Sequence, residues 1–200
     1  MTTQSAVESS CAVCGRVSTQ GVIMSTNAFG SPDLDLRPPP MERFTIDHWV
    51  QECPHCGYCA PEIEEPIAGG AEVVGSGEYL AILNAPDGDD SRLVSRFLCA
   101  SALFEHAGLL AEAAHEALHA AWAADDSEGG EEEAVLARKR VITLVDELHA
   151  QGRHLEKDPV SETMRMIDVA RRAGESGRAN QLIAELANVE DPFFRTLVPF

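Results

Sequence analysis

The 200-residue chain suits one medium domain, or a small module joined to a larger one. Its 15 basic against 33 acidic residues leave a formal net charge of −18, which repels phosphate backbones and anionic lipid. Nucleic acid and membrane surfaces are thereby excluded as default partners. An apolar share of 44% supports a real core, yet no apolar run approaches the roughly 20 residues of a spanning helix.

Met1–Ser10 is polar and lacks the apolar segment of a secretory signal, which places the chain in the cytoplasm, where thiols stay reduced. Six cysteines in that setting read as metal ligands and buried thiols rather than disulfides. The first motif is Cys11-Ala-Val-Cys14-Gly15, a tight turn that brings two sulfurs together. A proline-rich stretch follows, Phe29 to Pro40, with the shape of an inserted loop. Within it Asp33, Asp35 and Arg37 either tie the loop together or lie on the surface. Arg43 to Gln51 alternates well enough to predict a strand. That strand would deliver the second motif, Cys53-Pro-His55-Cys56-Gly57.

Two C-x-x-C-G turns supply four soft thiolates, Cys11, Cys14, Cys53 and Cys56, a set that suits tetrahedral zinc, with iron as the variant. The 38 residues between the pairs exceed the usual ribbon spacer of about 15–20, and the inserted loop accounts for the excess. Four thiolate ligands leave no open position, so the site is structural rather than Lewis-acidic. His55 and Cys59 are spare donors, Cys59 being either a packed thiol or a redox-active partner of Cys56. Cys99, among Phe97, Leu98 and Leu103, reads as core.

The composition changes near residue 70. Ala68-Gly69-Gly70 and Gly75-Ser76-Gly77 form a loop-rich joint, with a short helix expected over Glu78–Leu83. Pro86 to Ser91 reads as a turn ending in helix-capping residues. Beyond it the apolar spacing predicts helices near 91–107, 109–124, 131–150, 160–173 and 177–189, punctuated by Gly108, Gly129-Gly130, Gly152 and Gly174. The organisation expected is a metal module over 1–68, a joint over 69–90 and a helical domain over 91–200. Its densest basic run, Arg138-Lys139-Arg140, sits inside an acidic helix.

The helical part carries an internal echo. A unit begun at Val94 places Phe97, Ala100, Ser101, Phe104, Gly108, Ala113, Ala117 and Ala120 on the positions of a tetratricopeptide pattern. One begun at Val160 places Met166, Ile167, Ala170, Gly174, Ala179, Ile183 and Leu186 likewise, with Thr163 departing. A degenerate unit around Val135–Leu148 would fill the gap, and an unrelated antiparallel helix bundle is the competing architecture. One further motif lies here: His115-Glu116-Ala-Leu-His119 satisfies H-E-x-x-H, the helical signature of zinc hydrolases. It lacks the usual extension, and a third ligand would have to come from Asp125, Asp126 or distant acids. Two partly exposed helical histidines are the simpler reading.

The order Cys11-x-x-Cys14-Gly15, Pro32-Asp-Leu-Asp35 with Arg37-Pro38, Trp49, then Cys53-Pro-His-Cys-Gly-Tyr58 resembles a bacterial family of uncharacterised proteins filed as domain of unknown function 2225. His119-Ala-Ala-Trp122-Ala-Ala-Asp-Asp126 is similar to its helical part. The resemblance spans nearly the whole chain. It implies zinc at the four cysteines and an interaction role for the helices, with no catalytic residue carried over. Cys59 departs from it, standing where a small residue is expected.

The expected fold is mainly α with a small β zinc ribbon, followed by a tetratricopeptide-like array or helix bundle. The expected function is that of a zinc-binding, non-enzymatic cytoplasmic adaptor for a protein or peptide partner. The alternatives are a zinc-dependent hydrolase at His115, Glu116 and His119, and a thiol redox sensor at Cys56 and Cys59.

Overall fold

The computed structural model describes residues 1–85 and 89–187; the turn expected at Pro86 to Ser91 falls largely outside them. The chain is mainly helical with two small antiparallel strand pairs. Strands β1 (Thr3–Ser10) and β2 (Val17–Ser25) form a hairpin that brackets the first cysteine turn. Strands β3 (Gln51–Glu52) and β4 (Cys59–Ala60) bracket the second in the same way. Helices α1 (Gly70–Val74) and α2 (Gly77–Leu83) lead into five longer ones: α3 (Asp89–His106), α4 (Leu110–Asp126), α5 (Glu131–Ala150), α6 (Pro159–Arg172) and α7 (Ser176–Ala187). Among the described residues no helix is long and apolar enough to cross a membrane.

The strand predicted over Arg43–Gln51 is corrected by the structure. Arg43–His48 is a 3-10 helix, and only Gln51 and Glu52 pair as strand. The buried positions explain the difference, since Thr45, Ile46 and Val50 follow helical spacing rather than alternation. Side-chain bonds reinforce the turn. The Thr45 hydroxyl donates to the Glu42 carbonyl at 2.8 Å and accepts from Trp49 Nε1 at 2.9 Å.

The longer helices stack in chain order, each packing on its neighbours in sequence. Three of them, α3, α5 and α6, end in the same way. At the end of α3 Gly108 adopts φ 73°, its N–H bonds to the Glu105 carbonyl, and the Leu109 N–H reaches back to Phe104. Gly174 repeats this after α6, with bonds to Arg171 and from Glu175 to Ala170. Both are Schellman closures, in which a left-handed glycine satisfies the last carbonyls. These are the two glycines at matching places of the units begun at Val94 and Val160. Between α3/α4 and α6/α7 lies the single long helix α5. Asp158 caps α6, accepting from the Ser161 N–H at 2.8 Å, and Pro159 opens it.

Helix α4 is the centre of the molecule. Its alanines 113, 114, 117, 120, 121, 123 and 124 are all buried, together with Leu118 and Trp122. A helix covered on most sides needs small side chains so that its neighbours can approach. Ser101 of α3 shows how close they come: its hydroxyl donates to the Ala113 carbonyl of α4 at 2.8 Å and accepts from Arg140 of α5 at 2.9 Å.

The inserted loop is neither free nor merely self-tied. Asp33 does hold it internally, pairing with Arg43 at 2.9 Å. Asp35 is 0% exposed and accepts from Trp122 Nε1 of α4 at 2.7 Å, with Arg172 of α6 at 3.5 Å. Arg37 pairs with Asp126 at the end of α4. Asp125 then joins three helices, bonding Arg138 of α5 at 3.0 Å and Arg172 at 2.7 Å. Leu36, between the two buried loop residues, carries φ 65°, a conformation that a branched side chain holds only under external constraint.

The front and the helices share one continuous core, which crosses the expected boundaries at 68/69 and 90/91. Arg92 of α3 pairs with Glu52 and Arg96 donates to the Val50 carbonyl, both just ahead of the second cysteine turn.

Asp35→Ala is expected to cost about 2–4 kcal/mol, because it strands a buried indole N–H and removes one of the two carboxylates that face Arg172. Denaturant unfolding measures this. Combined with Trp122→Phe, the losses should fall short of additivity by more than about 1 kcal/mol.

Candidate metal centre

The two cysteine turns are copies of one local structure. In each, the first cysteine's N–H bonds to the carbonyl five residues on: Cys11 to Arg16 at 3.0 Å, and Cys53 to Tyr58 at 2.9 Å. The glycine N–H then bonds back to the first cysteine's carbonyl, Gly15 to Cys11 at 2.8 Å and Gly57 to Cys53 at 2.9 Å. Closing that turn puts both glycines at positive φ, 69° and 76°. Gly57 is doubly constrained, since a Cβ there would meet Leu83 Cδ2 at 2.4 Å.

Bonds from the first hairpin to the second and to the segment after β4 hold the tips together, among them His55 Nε2 with the Val17 carbonyl at 3.4 Å. The Ala12 N–H donates to the Ile63 carbonyl at 2.8 Å, the Ser10 N–H to Glu64 Oε1 at 3.1 Å, and Gln20 Nε2 to the Glu52 carbonyl at 3.1 Å. The four sulfurs of Cys11, Cys14, Cys53 and Cys56 consequently lie within 4.8 Å of one another. The cross-hairpin separations are 3.7 Å for Cys11 and Cys56 and 3.6 Å for Cys14 and Cys53. A tetrahedron with metal–sulfur bonds of ~2.3 Å has edges of about 3.8 Å. The cage therefore fits a single metal ion of that size with little movement. Sulfurs from 39 to 45 residues apart meet there.

The environment treats the thiols unequally. The Arg16 N–H donates to Cys14, the largest influence on that group, and its pKa falls to about 7 despite some burial. Burial pushes Cys11 up, opposed by the N–H groups of Cys14 and Val13. Burial pushes Cys56 up further, and the three neighbouring thiols add to the rise. Gathering four anions in one place is unfavourable until a cation shares them.

The second turn is held from behind by tyrosines. The buried Tyr79 hydroxyl of α2 donates to the Gly57 carbonyl at 2.8 Å and accepts from the Cys59 N–H at 3.0 Å. Tyr58 donates to the Glu65 carbonyl at 2.7 Å and accepts from the Ile67 N–H at 3.2 Å. Cys59 lies outside the cage, fully buried beside Cys99, whose thiol raises its pKa together with burial. Cys99 is itself fully buried.

The H-E-x-x-H residues do not converge on a common point. His115 Nε2 faces Glu156 at 3.5 Å, and burial and Arg165 lower its pKa, keeping the ring neutral. His119 is enclosed by aromatic rings, Trp49, Phe97 and Trp122, at 5.2–5.4 Å. Its Nδ1 lies 3.6 Å from Glu116 Oε2, and neither atom has a hydrogen-bond partner among the described residues. Among those residues only two groups of three or more metal-binding side chains gather closely: the four cysteines, and His149 with His154 and Glu162. The second group follows no recognised spacing and was not singled out from sequence; only folding of the α5–α6 connection brings it together.

Comparison of the chain with protein-family models, with curated proteins and with solved structures finds no match.

Metal uptake at this cage has a defined pH dependence. Near neutrality Cys11 and Cys56 are protonated and Cys14 is about half ionised. Binding therefore releases at least two protons, and apparent zinc affinity should fall by about a hundredfold or more between pH 7 and pH 6. Competition with a coloured chelator at the two pH values reads this directly. Tyr79→Phe strips the buried Cys59 N–H of its partner and leaves the Gly57 carbonyl only the weak Cys59 thiol donor at 3.4 Å. We expect a loss of about 2–4 kcal/mol in unfolding free energy, accompanied by faster loss of metal to chelator.

Proposed function

We propose that Cys11, Cys14, Cys53 and Cys56 hold one zinc ion in a closed structural site, and that the chain acts as a non-enzymatic protein-interaction adaptor in the cytoplasm. The observation that carries the metal reading is the pair of cross-hairpin sulfur separations, which approximate the edges of a zinc tetrathiolate. Four thiolates complete the coordination shell, so no position remains for a substrate or activated water. The ion would act as a staple between two hairpin tips that have little core of their own. Iron would fit a similar cage and is distinguished by elemental analysis and colour.

The adaptor reading leans on the helices. Consecutive packing from α3 to α7, with matching glycine closures after α3 and α6, favours a tetratricopeptide-like array around the zinc-ribbon-like front. Arrays of that kind present extended surfaces to protein or peptide segments, and this step is fold analogy. A net charge of −18 favours a basic partner segment over nucleic acid or an anionic membrane. The resemblance to the family filed as domain of unknown function 2225 is part of the same proposal and adds no activity to it.

The hydrolase alternative asks His115 and His119 to share an ion, whereas their nitrogens face different carboxylates. The redox alternative asks Cys59 to ionise, whereas burial and Cys99 hold it protonated.

After exhaustive dialysis of reduced protein, elemental analysis should find one zinc per chain, lost in Cys53→Ser and retained in His119→Ala. Loss of that zinc in His119→Ala with retention in Cys53→Ser would transfer the function to the hydrolase motif. On the adaptor side, lysine- and arginine-rich peptides should bind with salt-sensitive affinity and acidic peptides should not.

A further inference from the structure

His149 lies in the last turn of α5, His154 in the connection that follows, and Glu162 in the first turn of α6. All three side chains meet. Glu162 Oε1 lies 2.5 Å from His149 Nε2 and 3.3 Å from His154 Nδ1, and the three ligand atoms fall within 4.8 Å of one another. The imidazole rings sit 5.3 Å apart, tilted by 54°. We propose that this cluster is a second metal site, one that takes an exchangeable divalent cation of borderline softness such as Zn2+, Co2+ or Ni2+.

Three features support it. Two imidazoles and a carboxylate are a donor set these ions favour. With ligand bonds of ~2.0–2.2 Å and tetrahedral angles, neighbouring donors stand about 3.3–3.5 Å apart; the His154–Glu162 separation of 3.3 Å meets that value, and the 2.5 Å between His149 and Glu162 would have to open by about 0.8 Å. The carboxylate is also fixed in advance. Glu162 is only 5% exposed, and its other oxygen accepts the Glu156 N–H at 2.9 Å, which turns Oε1 towards the rings. Outer bonds of this kind orient a ligand before the ion arrives.

The histidines differ from the carboxylate in a useful way. Their side chains are 41% and 59% exposed for His149 and His154, so an ion can enter from solvent and the rings can adjust by the fraction of an ångström required. Three protein ligands leave at least one coordination position for water or for a donor from another molecule. The cysteine cage has no such position. An ion here would tie the end of α5 to the start of α6 and fix the nine-residue span from His154 to Glu162. Two neutral imidazoles each donating to one carboxylate oxygen would also account for the distances, and that arrangement has no affinity for metal. Metal titration separates the two, and it does so independently of the cysteine site.

The experiment uses the full chain with its cysteine site loaded and excess metal dialysed away, titrated with Zn2+ and with Co2+. The wild-type protein should take up one further equivalent at micromolar free metal. The added cobalt should show ligand-field bands without thiolate charge transfer. His149→Ala and His154→Ala, both at exposed rings, should each weaken this second equivalent by at least about tenfold while leaving the first in place. His106→Ala, outside both clusters, should change neither. Cys53→Ser should lose the first equivalent and keep the second, which distinguishes failure of one site from failure of the other. Absence of a second equivalent in the wild type overturns the proposal. So does a second ion whose affinity is the same in both histidine variants.

Discussion

Everything at the front of this molecule depends on four sulfurs meeting at one point. The hairpin β1–β2 is polar and largely exposed, and β3–β4 is two residues long on each side. Isolated ribbons of that size are marginal in water. Their tips nevertheless stand with cross-hairpin sulfur pairs at 3.6 and 3.7 Å. Thiols offer only weak hydrogen bonds to hold such an arrangement, and thiolates repel. A shared cation would supply the missing attraction, of order 10–16 kcal/mol where the ion is structural zinc near neutral pH.

The front has anchors besides its four sulfurs. Tyr79 enters the second cysteine turn from α2, Arg92 and Arg96 reach the residues before it from α3, and the loop after β2 is clamped through Asp35 and Arg37 to α4 and α6. These are polar contacts in mostly buried surroundings, where each donor and acceptor must find its partner. They fix geometry more than they add stability, since buried ion pairs recover little beyond their own desolvation. The long spacer between the cysteine turns thus has a physical role: part of it is strand, and the rest reaches across the helices.

The helical half was legible because its signals are local. Gly108 and Gly174 end α3 and α6 through left-handed closures, Pro159 and Asp158 start α6, and alanines at helical spacing mark α4. The cysteine cage was legible for a different reason, the repeated C-x-x-C-G turn. What could not be read is what depends on distant chain. Arg43–His48 looked alternating, yet its burial is decided by what lies beneath Thr45, Ile46 and Val50. Asp35 reads from sequence as either a loop tie or a surface acid, and it is buried because Trp122 and Arg172 converge on it from 87 and 137 residues away. Strand β1 gave no signal at all, its side chains being polar on both faces. Glu116 and His119 matched a hydrolase signature, but the rings of Trp49, Phe97 and Trp122 enclose the histidine.

The six cysteines show how one element can be put to two uses within 90 residues of chain. Cys14 and Cys56 each receive a main-chain N–H from two residues on, Arg16 and Tyr58; this donor dominates at Cys14 and favours thiolate, whereas at Cys56 burial outweighs it. Cys59 and Cys99 face each other in the interior, and for Cys59 the contact with Cys99 together with burial favours the neutral thiol. Only two residues separate Cys56 from Cys59, yet the strand β4 that begins at Cys59 turns its sulfur away from the cage and into the core. The left-handed Gly57 marks the point where the backbone leaves the metal-facing turn, and Tyr79 bonds to both sides of it. A single residue position therefore divides sulfur poised to ligate from sulfur that serves as packing.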